Sequence, residues 1–490
     1  MIKDASYYAD LLRSQELSFE ELLQEFQMRV ANLNPHLNAV VDWSSQIGRE
    51  NYAQLNDRFE RPFYGLPVLV KALGQDSRGL DNANGSRLLK GSRAQNDNNF
   101  IRMVKEAGLV PVGVSNAPEF GFKNITDSVL YGHAKNPWNQ AYSPGGSSGG
   151  AAASVASGMF PLALASDGGG SIRIPASFCG LIGLKPTRGT MPVGPGSWRS
   201  WQGASINFAL TVSMRDTRQL FYALRRPENI APYQAPQTEW IHVLEDSYEK
   251  RPLKVAFSTQ SPVGSQVSST AVQAVKEAVN FLEAQGFLVE EKTPKLDGRQ
   301  LIRGYYAMNG AETAAMFADL EEQGSKIQPS QVEALTWGLA RYGDQILARE
   351  YTQILNSWDV ATATMEDFLT EYDLYLTPTT AKTAPRLEEL SMETDAARLY
   401  AIQDLDVKER GSLIENVFEK SLSFSPFTQL ANLTGQPALS LPTHLSQAQL
   451  PLGVQFMAAK GREDLLFEVG HLFESAGQFE LPPVYQNNKF

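Results

Sequence analysis

The chain has 490 residues, of which 42% are hydrophobic and 20% are charged, and its formal net charge is −11. It is therefore long enough to bury a large core, either as one α/β unit or as several domains. The negative charge argues against a nucleic acid or an anionic membrane surface as a partner, because both attract clustered lysine and arginine residues.

The sequence predicts a cytoplasmic protein. The single cysteine, Cys179, cannot form an internal disulfide bond, which fits a reducing compartment. The first residues show no basic head followed by an apolar core, so we expect no signal peptide. The chain has no run of about 18 apolar residues, so we expect no membrane span.

Predicted strands and helices alternate along the chain. Ser18 and Glu21 form a capping-box pattern ahead of apolar residues at helical spacing, which predicts an amphipathic helix. The apolar run GLPVLVK (65–71) predicts a buried strand that ends at Lys71. The other predicted strands cover 108–114, 160–166, 372–380 and 452–459. The other predicted helices cover 100–107, 149–158 and 463–475. Residues 253–290 are predicted to form a strand, a long helix and a second strand. This alternation implies an α/β sheet covered by helices on both faces.

The composition marks no reliable domain boundary. Residues 226–252 are polar and contain proline, so they are the best candidate for an internal connection. Internal repeats and low-complexity tracts are absent from the sequence.

The stretch SDGGGS (166–171) places Ser171 directly after three glycines. Glycine lets successive backbone N–H groups face one concavity without a clash from a Cβ atom, and such a concavity can stabilise the oxyanion of an acyl-transfer intermediate. A glycine-rich turn between a strand and the next element is the competing interpretation. The stretch alone leaves both open.

A second serine motif lies at 143–150, SPGGSSGG, where Ser147 matches the G-x-S-x-G pattern of the α/β-hydrolase nucleophile elbow. That elbow requires a strand leading into it, and the preceding residues are polar and contain Pro144. A Ser-His-Asp triad is the weaker interpretation, because no histidine lies in a stretch typical of an active site. The five histidines are His36, His133, His242, His444 and His471.

Lys71 is the alternative base. A lysine can accept a proton when burial lowers its pKa enough to leave the amine neutral. Lys71 follows the apolar residues LPVLV, where the predicted strand leaves the core. The competing interpretation is a lysine whose head simply reaches solvent at the end of a strand.

Together these segments resemble the amidase signature family. The segments GLPVLVK (65–71), NPWN (136–139), SPGGSSGG (143–150), the long block 161–189 and LTGQPALSLP (433–442) look like the blocks of that family, in its order. The resemblance extends from about residue 40 to the predicted C-terminal helix, and its central block is long and specific.

The resemblance implies a fold and a catalytic triad. The fold is one α/β domain over residues 1–490, with a twisted mixed sheet of about eleven strands between layers of helices. An N-terminal helical segment of about 60 residues is expected to pack on this domain. The triad is Ser-cisSer-Lys, with Ser171 as the nucleophile, Ser147 as the bridging serine after a cis peptide bond, and Lys71 as the base.

The resemblance also implies supporting residues. The backbone N–H groups of Gly168, Gly169, Gly170 and Ser171 are expected to form the oxyanion hole. The other residues that match family positions are interpreted as structural support; they are Ser148, Asp167, Arg173 and Cys179. Cys179 is expected to fill space in the core and not to act as a nucleophile.

The segment EFGFKNIT (119–126) is predicted to line the acyl side of the substrate pocket, because the resemblance places it opposite the nucleophile. The candidate substrate-binding residues are Gly121, Phe122 and Asn124. A surface loop with a satisfied asparagine is the competing interpretation.

Two departures from the family pattern concern the substrate. Many family members have an aspartate where this chain has Ala72, and a larger residue where it has Gly168. The central block looks closer to the branch that contains 6-aminohexanoate-cyclic-dimer hydrolase than to the A subunit of glutaminyl-tRNA amidotransferase. Neither departure changes a residue of the expected triad. The departures therefore leave the identity of the substrate open, while the expected reaction stays the same.

The sequence therefore predicts an amidohydrolase that cleaves a linear or cyclic carboxamide without a cofactor or a metal. Its expected partner is a small-molecule amide, with neither nucleic acid nor membrane, and we expect a monomer or a homodimer. A glutaminase-like subunit of an amidotransferase complex is the alternative function. A non-catalytic binding protein is a third hypothesis, which the presence of Lys71, Ser147 and Ser171 disfavours.

Overall fold

The computed structural model describes residues 2–57, 59–226, 228–236, 252–322, 324 and 326–486. Most of the expected internal connection, namely residue 227 and residues 237–251, lies outside the described residues. His242 lies there as well.

The strands of the described residues belong to three sheets. An eight-stranded mixed sheet has the order β10-β9-β11-β13-β12-β7-β8-β6, a three-stranded sheet has the order β1-β3-β2, and β4 pairs with β5. The strands in the described residues are β1 (Val40–Trp43), β2 (Pro67–Lys71), β3 (Val110–Ser115), β4 (Asp127–Ser128), β5 (Gly132–His133), β6 (Ala163–Asp167), β7 (Ile182–Lys185), β8 (Ile206–Thr211), β9 (Lys254–Phe257), β10 (Leu288–Glu291), β11 (Leu374–Pro378), β12 (Ala438–Leu445) and β13 (Pro451–Met457).

Helices cover the sheets and form most of the segment between β10 and β12. The α-helices in the described residues are α1 (Ala5–Ser14), α2 (Phe19–Leu37), α3 (Ser45–Tyr52), α4 (Asn99–Glu106), α5 (Gly149–Ala156), α6 (Arg173–Cys179), α7 (Met214–Leu224), α8 (Ser269–Ala284), α9 (Gly298–Glu322), α10 (Ala334–Gly343), α11 (Ala348–Glu371), α12 (Ala396–Tyr400), α13 (Val407–Leu422), α14 (Gln429–Thr434), α15 (Glu463–Ser475) and α16 (Pro483–Gln486).

The mixed α/β fold class is confirmed. In the large sheet, β9 is parallel to β10 and β11, and the pairs from β11 through β13, β12, β7 and β8 to β6 are antiparallel. The expected sheet of about eleven strands is divided, because β2 lies beside β6 without a backbone ladder between them in the described residues. Side chains of the candidate active site bridge this boundary.

The local sequence patterns give most of the predicted elements. Ser18 caps α2, with its hydroxyl accepting from the Glu21 amide and the Glu21 carboxylate accepting from the Ser18 amide. The run that predicts a strand ending at Lys71 forms β2, which is buried along its whole length. The predicted strand 160–166 begins later, as β6, and ends at Asp167.

The N-terminal segment is helical but also contributes a strand. Helices α1, α2 and α3 are its main elements, and β1 pairs antiparallel with β3. The buried Asp216 of α7 accepts hydrogen bonds from the amides of Ala5 and Ser6, which fixes α1 to the body of the fold. In the described part of the chain, no helix is both long enough and apolar enough to cross a membrane.

Candidate active site

Lys71 lies at the end of β2 with 2% of its surface exposed. Its Nζ donates to Ser147 Oγ at 2.7 Å and to Ser166 Oγ at 2.9 Å. The Gln75 side chain accepts from the Lys71 amide at 2.7 Å and donates to the Ala165 carbonyl at 2.9 Å. These side chains join β2 to β6 and fix the position of the lysine head.

Burial changes the chemistry of Lys71. Loss of hydration lowers the pKa of its amine from 10.5 to about 7, and the negative charge of Asp167 opposes this shift without cancelling it. A substantial fraction of the amine is therefore neutral near pH 7. A neutral amine that is hydrogen-bonded to a hydroxyl can accept that hydroxyl's proton.

Ser147 is held by an irregular segment that packs closely on its surroundings. The peptide bond between Gly146 and Ser147 is cis. Thr126 Oγ1 donates to the Gly145 carbonyl and accepts from the Gly149 amide. A Cβ atom on Gly146 would lie 2.5 to 2.6 Å from the backbone of Ile125, so only glycine fits there. No strand of the described chain leads into Ser147, although a nucleophile elbow requires one, and this also disfavours the elbow interpretation.

Ser171 follows the glycine loop between β6 and α6 and is partly exposed. Within the loop, the Gly170 amide donates to Asp167 Oδ1 at 2.7 Å. The amide of Gly170, expected in the oxyanion hole, is therefore already bonded to protein. Among the described residues, no acceptor is bonded to the amides of Gly168, Gly169 or Ser171.

Three side chains pack directly on the glycine loop. A Cβ atom on Gly168 would lie 2.8 Å from a ring carbon of Trp201. A Cβ atom on Gly169 would overlap the hydroxyl of Tyr305, and one on Gly170 would overlap the hydroxyl of Thr428. The loop thus needs glycine for close approach by neighbouring groups.

A fully buried ion pair supports the loop from behind. Arg173 Nη2 and Nε donate to the two carboxylate oxygens of Asp167 at 2.9 and 3.0 Å. The same guanidinium donates to the Thr428 carbonyl, Gln455 Oε1 and Asn432 Oδ1. Burial acts to raise the pKa of Asp167, but the charge and hydrogen bonds of Arg173, helped by Asn432, lower that pKa to about 2.

A cleft of about 600 Å³ lies beside this arrangement. Its wall includes Leu73, which packs against Gly121, and Trp201, which packs against Gly168. Phe120 and Phe122 belong to the same wall. The cleft therefore opens beside both the Ser147 segment and the glycine loop.

The three residues predicted for the acyl pocket lie in different places. A Cβ atom on Gly121 would lie 3.2 Å from Ser147 Oγ, so this glycine faces the side chain of Ser147. Phe122 lines the cleft. The side-chain Nδ2 of Asn124 instead donates to the Ser421 carbonyl and to Ser425 Oγ, which fixes this segment to the end of α13.

Sequence reasoning missed several residues of the site. Ser166 and Gln75 contact Lys71, and Trp201 covers the glycine loop. Ser166 lies in the same SDGGGS motif as Ser171, so the sequence contained a signal for Ser166. Neither Gln75 nor Trp201 lies in a pattern that distinguishes it from ordinary loop residues.

The remaining nucleophile and base candidates lie elsewhere. Burial raises the pKa of the Cys179 thiol far above its ordinary value, so this side chain is an inert part of the core. His444 pairs with Glu277, and His133 lies near Glu388. Among the described residues, the ion-pair partners of His444 and His133 are these carboxylates and not Lys71, Ser147 or Ser171.

The chain matches a known family over most of its length. The Amidase family model matches residues 21–467, so the chain belongs to the amidase signature family. Family and relatives together place it among the hydrolases of carbon–nitrogen bonds in amides.

Two curated relatives cover almost all of this chain. It is 37% identical to a lipoamidase of Enterococcus faecalis over 484 residues, which are 98% of this chain but 64% of the lipoamidase, so the chain spans less than two thirds of that relative. It is 32% identical to the 6-aminohexanoate-cyclic-dimer hydrolase of Paenarthrobacter ureafaciens, over 97% of this chain and 94% of that enzyme.

The fold agrees with a solved structure of 6-aminohexanoate cyclic dimer hydrolase complexed with substrate. The TM-score is 0.88 at 31% identity, and the match covers 98% of each chain. A bacterial aryl acylamidase gives a TM-score of 0.84 at 23% identity and covers 97% of this chain and 96% of its own, which supports the fold alone.

Proposed function

We propose that this protein hydrolyses a carboxamide through an acyl-enzyme on Ser171, with Ser147 as the proton relay and Lys71 as the base. The observation that carries the proposal is the hydrogen bond of 2.7 Å between Lys71 Nζ and Ser147 Oγ. Burial lowers the pKa of this lysine to about 7, which suits a base that works near neutral pH.

Acylation begins with two proton transfers. Neutral Lys71 accepts the proton of Ser147, and Ser147 accepts the proton of Ser171 as Ser171 Oγ attacks the amide carbon. The amides of Gly168, Gly169 and Ser171 are the donors available to the oxyanion that forms.

Collapse of the tetrahedral intermediate breaks the C–N bond. Ser147 donates its proton to the leaving nitrogen, and protonated Lys71 returns a proton to Ser147, so that the amine departs neutral. Water then loses a proton to the same relay, attacks the acyl ester and releases the carboxylic acid, which restores Ser171.

The substrate proposal rests on the relatives and the cleft. A lipoamidase and a 6-aminohexanoate-cyclic-dimer hydrolase are both named for amides. The cleft of about 600 Å³ has room for an acyl group of several carbons, and its wall contains Leu73, Phe120, Phe122 and Trp201. We propose an aliphatic carboxamide, linear or cyclic, as the substrate class.

A panel of amides tests this function. Lipoamide, the cyclic dimer of 6-aminohexanoate, simple aliphatic anilides and glutamine are incubated with the protein, and the released amine or ammonia is measured. Glutamine is included because a glutaminase-like subunit is the alternative left open by the sequence. The Ser171→Ala protein is the blank. Turnover of an aliphatic amide by the wild type alone supports the proposal, and equal turnover by both proteins refutes it.

A further inference from the structure

We propose that Trp201, stacked on Phe122, selects substrates by contact with an unbranched aliphatic acyl chain. This inference rests on the proposed function, since it assigns the acyl side of the same site. Its support comes from the position of Trp201 on the glycine loop, the stacking of its ring, and the hydrogen bonds that hold its loop.

The indole ring of Trp201 covers the start of the glycine loop. Two of its ring carbons would lie 2.8 and 2.9 Å from a Cβ atom on Gly168. The same ring lines the cleft and is only partly buried. It is therefore an apolar surface beside the amides that are proposed to receive the carbonyl oxygen.

The rings of Phe122 and Trp201 are stacked. Their planes differ by 3°, and their centroids are 5.9 Å apart. Phe122 directly follows Gly121, which faces Ser147. The stacked pair thus extends the apolar wall from the glycine loop to the segment that covers the bridging serine.

Tyr305 closes the wall from the side of α9. Its ring meets that of Trp201 at 71° with centroids 6.0 Å apart, and its hydroxyl lies against Gly169. Burial raises the pKa of this hydroxyl far above its ordinary value, so it carries no charge at working pH. The three rings beside the glycine loop are therefore uncharged, and the wall of the cleft also includes the acidic residues Asp76, Glu312 and Asp319.

The backbone that presents Trp201 is unusual and firmly held. Ser200, Trp201 and Gln202 all have positive φ angles, of 22°, 53° and 52°. Such a run is unfavourable for residues other than glycine and persists where neighbouring contacts impose it. Here the Ala204 amide donates to the Trp201 carbonyl at 2.9 Å, and the Gln202 side chain donates to Glu312 at 2.8 Å.

The proposed proton path assigns an amine side and an acyl side to the site. The leaving nitrogen must take its proton from Ser147, so the amine lies toward that serine. The other substituent of the carbonyl carbon is assigned to the side of the glycine loop that Trp201 covers. An unbranched aliphatic chain can lie flat on a stacked aromatic wall and lose water contact along its length.

The test is the chain-length dependence of hydrolysis. Acetyl, butyryl, hexanoyl and octanoyl 4-nitroanilides are compared for the wild type, Trp201→Ala and Trp201→Phe. We expect Trp201→Ala to lower kcat/KM by about tenfold or more for octanoyl and by about threefold or less for acetyl, because each buried methylene adds to binding. For each chain length, the kcat/KM of Trp201→Phe is expected to lie between those of the wild type and Trp201→Ala.

Trp198 offers a matched control. It is a half-buried tryptophan of the same loop, but its ring lies against Gly194 and lines a different cavity. Trp198→Ala should keep the chain-length dependence of the wild type. An equal loss for all chain lengths in Trp201→Ala, or an unchanged profile, would overturn the assignment.

A binding experiment separates this inference from the proposed function. Calorimetry measures the affinity of acetamide, hexanamide and octanamide for Ser171→Ala and for Ser171→Ala combined with Trp201→Ala. We expect the second protein to bind octanamide about tenfold more weakly and to lose the gain with chain length. Equal affinity for octanamide in the two proteins contradicts the inference, even where turnover supports the proposed function. If the wild type hydrolyses no amide but the two proteins still differ in their affinity for octanamide, the result contradicts the proposed function and not this inference.

Discussion

Arg173 and Asp167 form an ion pair in which neither side chain has any exposed surface. Both carboxylate oxygens are contacted by the guanidinium, and Asp167 also binds the amide of Gly170. The charge pair therefore fixes the shape of the glycine loop, although its residues need not touch a substrate.

Arg173→Met should destabilise the fold and abolish activity. Removing one partner leaves the Asp167 carboxylate buried without its cation, which costs roughly 3–5 kcal/mol in the free energy of unfolding. Urea denaturation measures this loss. The control is Arg303→Met, which breaks an exposed pair with Glu415 and should cost at most about 1 kcal/mol. Similar losses for both variants would contradict the role of the buried pair.

The same pair predicts loss of stability in acid. The folded pKa of Asp167 is lowered from 3.8 to about 2, so the unfolded chain binds this proton first as the pH falls. The stabilisation is complete above about pH 4 and decreases as the pH falls from there toward 2. The free energy of unfolding of the wild type should fall more steeply over this range than that of Asp167→Asn.

Lys71 should control the acid side of the pH–rate profile. Because its folded pKa is about 7 and the neutral amine is the base, kcat/KM should rise with pH and reach half its plateau near pH 7. Lys71→Met should lower kcat/KM by about 10²–10⁴-fold. An unchanged acid limb in Lys71→Met, or a half-maximal pH far from 7, would assign the ionisation to another group.

Burial of Lys71 also affects folding. The unfolded amine keeps the ordinary pKa of 10.5, so folding releases a proton between about pH 7 and pH 10.5. The free energy of unfolding should therefore rise with pH in this window because of this group. Lys71→Met lacks this contribution, and the difference between the two denaturation curves measures it.

Much of the fold was accessible from local sequence patterns. The run ending at Lys71, the glycine-bounded helix α5 and the capping box of Ser18 each depend on neighbouring residues, and each was predicted correctly. The long helices between β10 and β12 were not predicted. Helix α9 packs against α10, α11, α13 and α14, so its buried residues occupy several faces and leave no one-sided apolar pattern.

The candidate site was accessible only in part. The serines and the lysine lie in recognisable motifs, but the partners of Arg173 on the far side of the fold do not. Asn432 and Gln455 are 259 and 282 residues away from it along the chain. Contacts at such separations depend on the tertiary structure, and a single sequence contains no local signal for them.

Ser147→Ala should distinguish a relay from a second nucleophile. Without the bridging hydroxyl, Lys71 loses its partner at 2.7 Å, so acylation by amides with poor leaving groups should slow by about 10²–10⁴-fold. Activated esters need less protonation of the leaving group and should retain more activity. A fluorophosphonate probe should label Ser171, as mass spectrometry of the digested protein can show. Labelling of Ser147 with Ser171 dispensable would reverse the two roles.

Gly121 supplies a steric test of the space around Ser147, the proposed bridging serine. Its φ is +73°, and a Cβ atom there would lie 3.2 Å from Ser147 Oγ and would overlap Leu73. Gly264 has the same φ of +73°, but a Cβ atom there would meet nothing within 4 Å, so Gly264→Ala carries the same backbone cost without the contact. That backbone cost is about 1 kcal/mol in each variant.

We expect Gly121→Ala to lower kcat by about tenfold or more through displacement of Ser147 or Leu73, and Gly264→Ala to leave kcat unchanged. Steady-state kinetics and thermal denaturation of the two variants separate displacement at the site from the shared backbone effect, and equal kcat values would show that Gly121 does not constrain the relay.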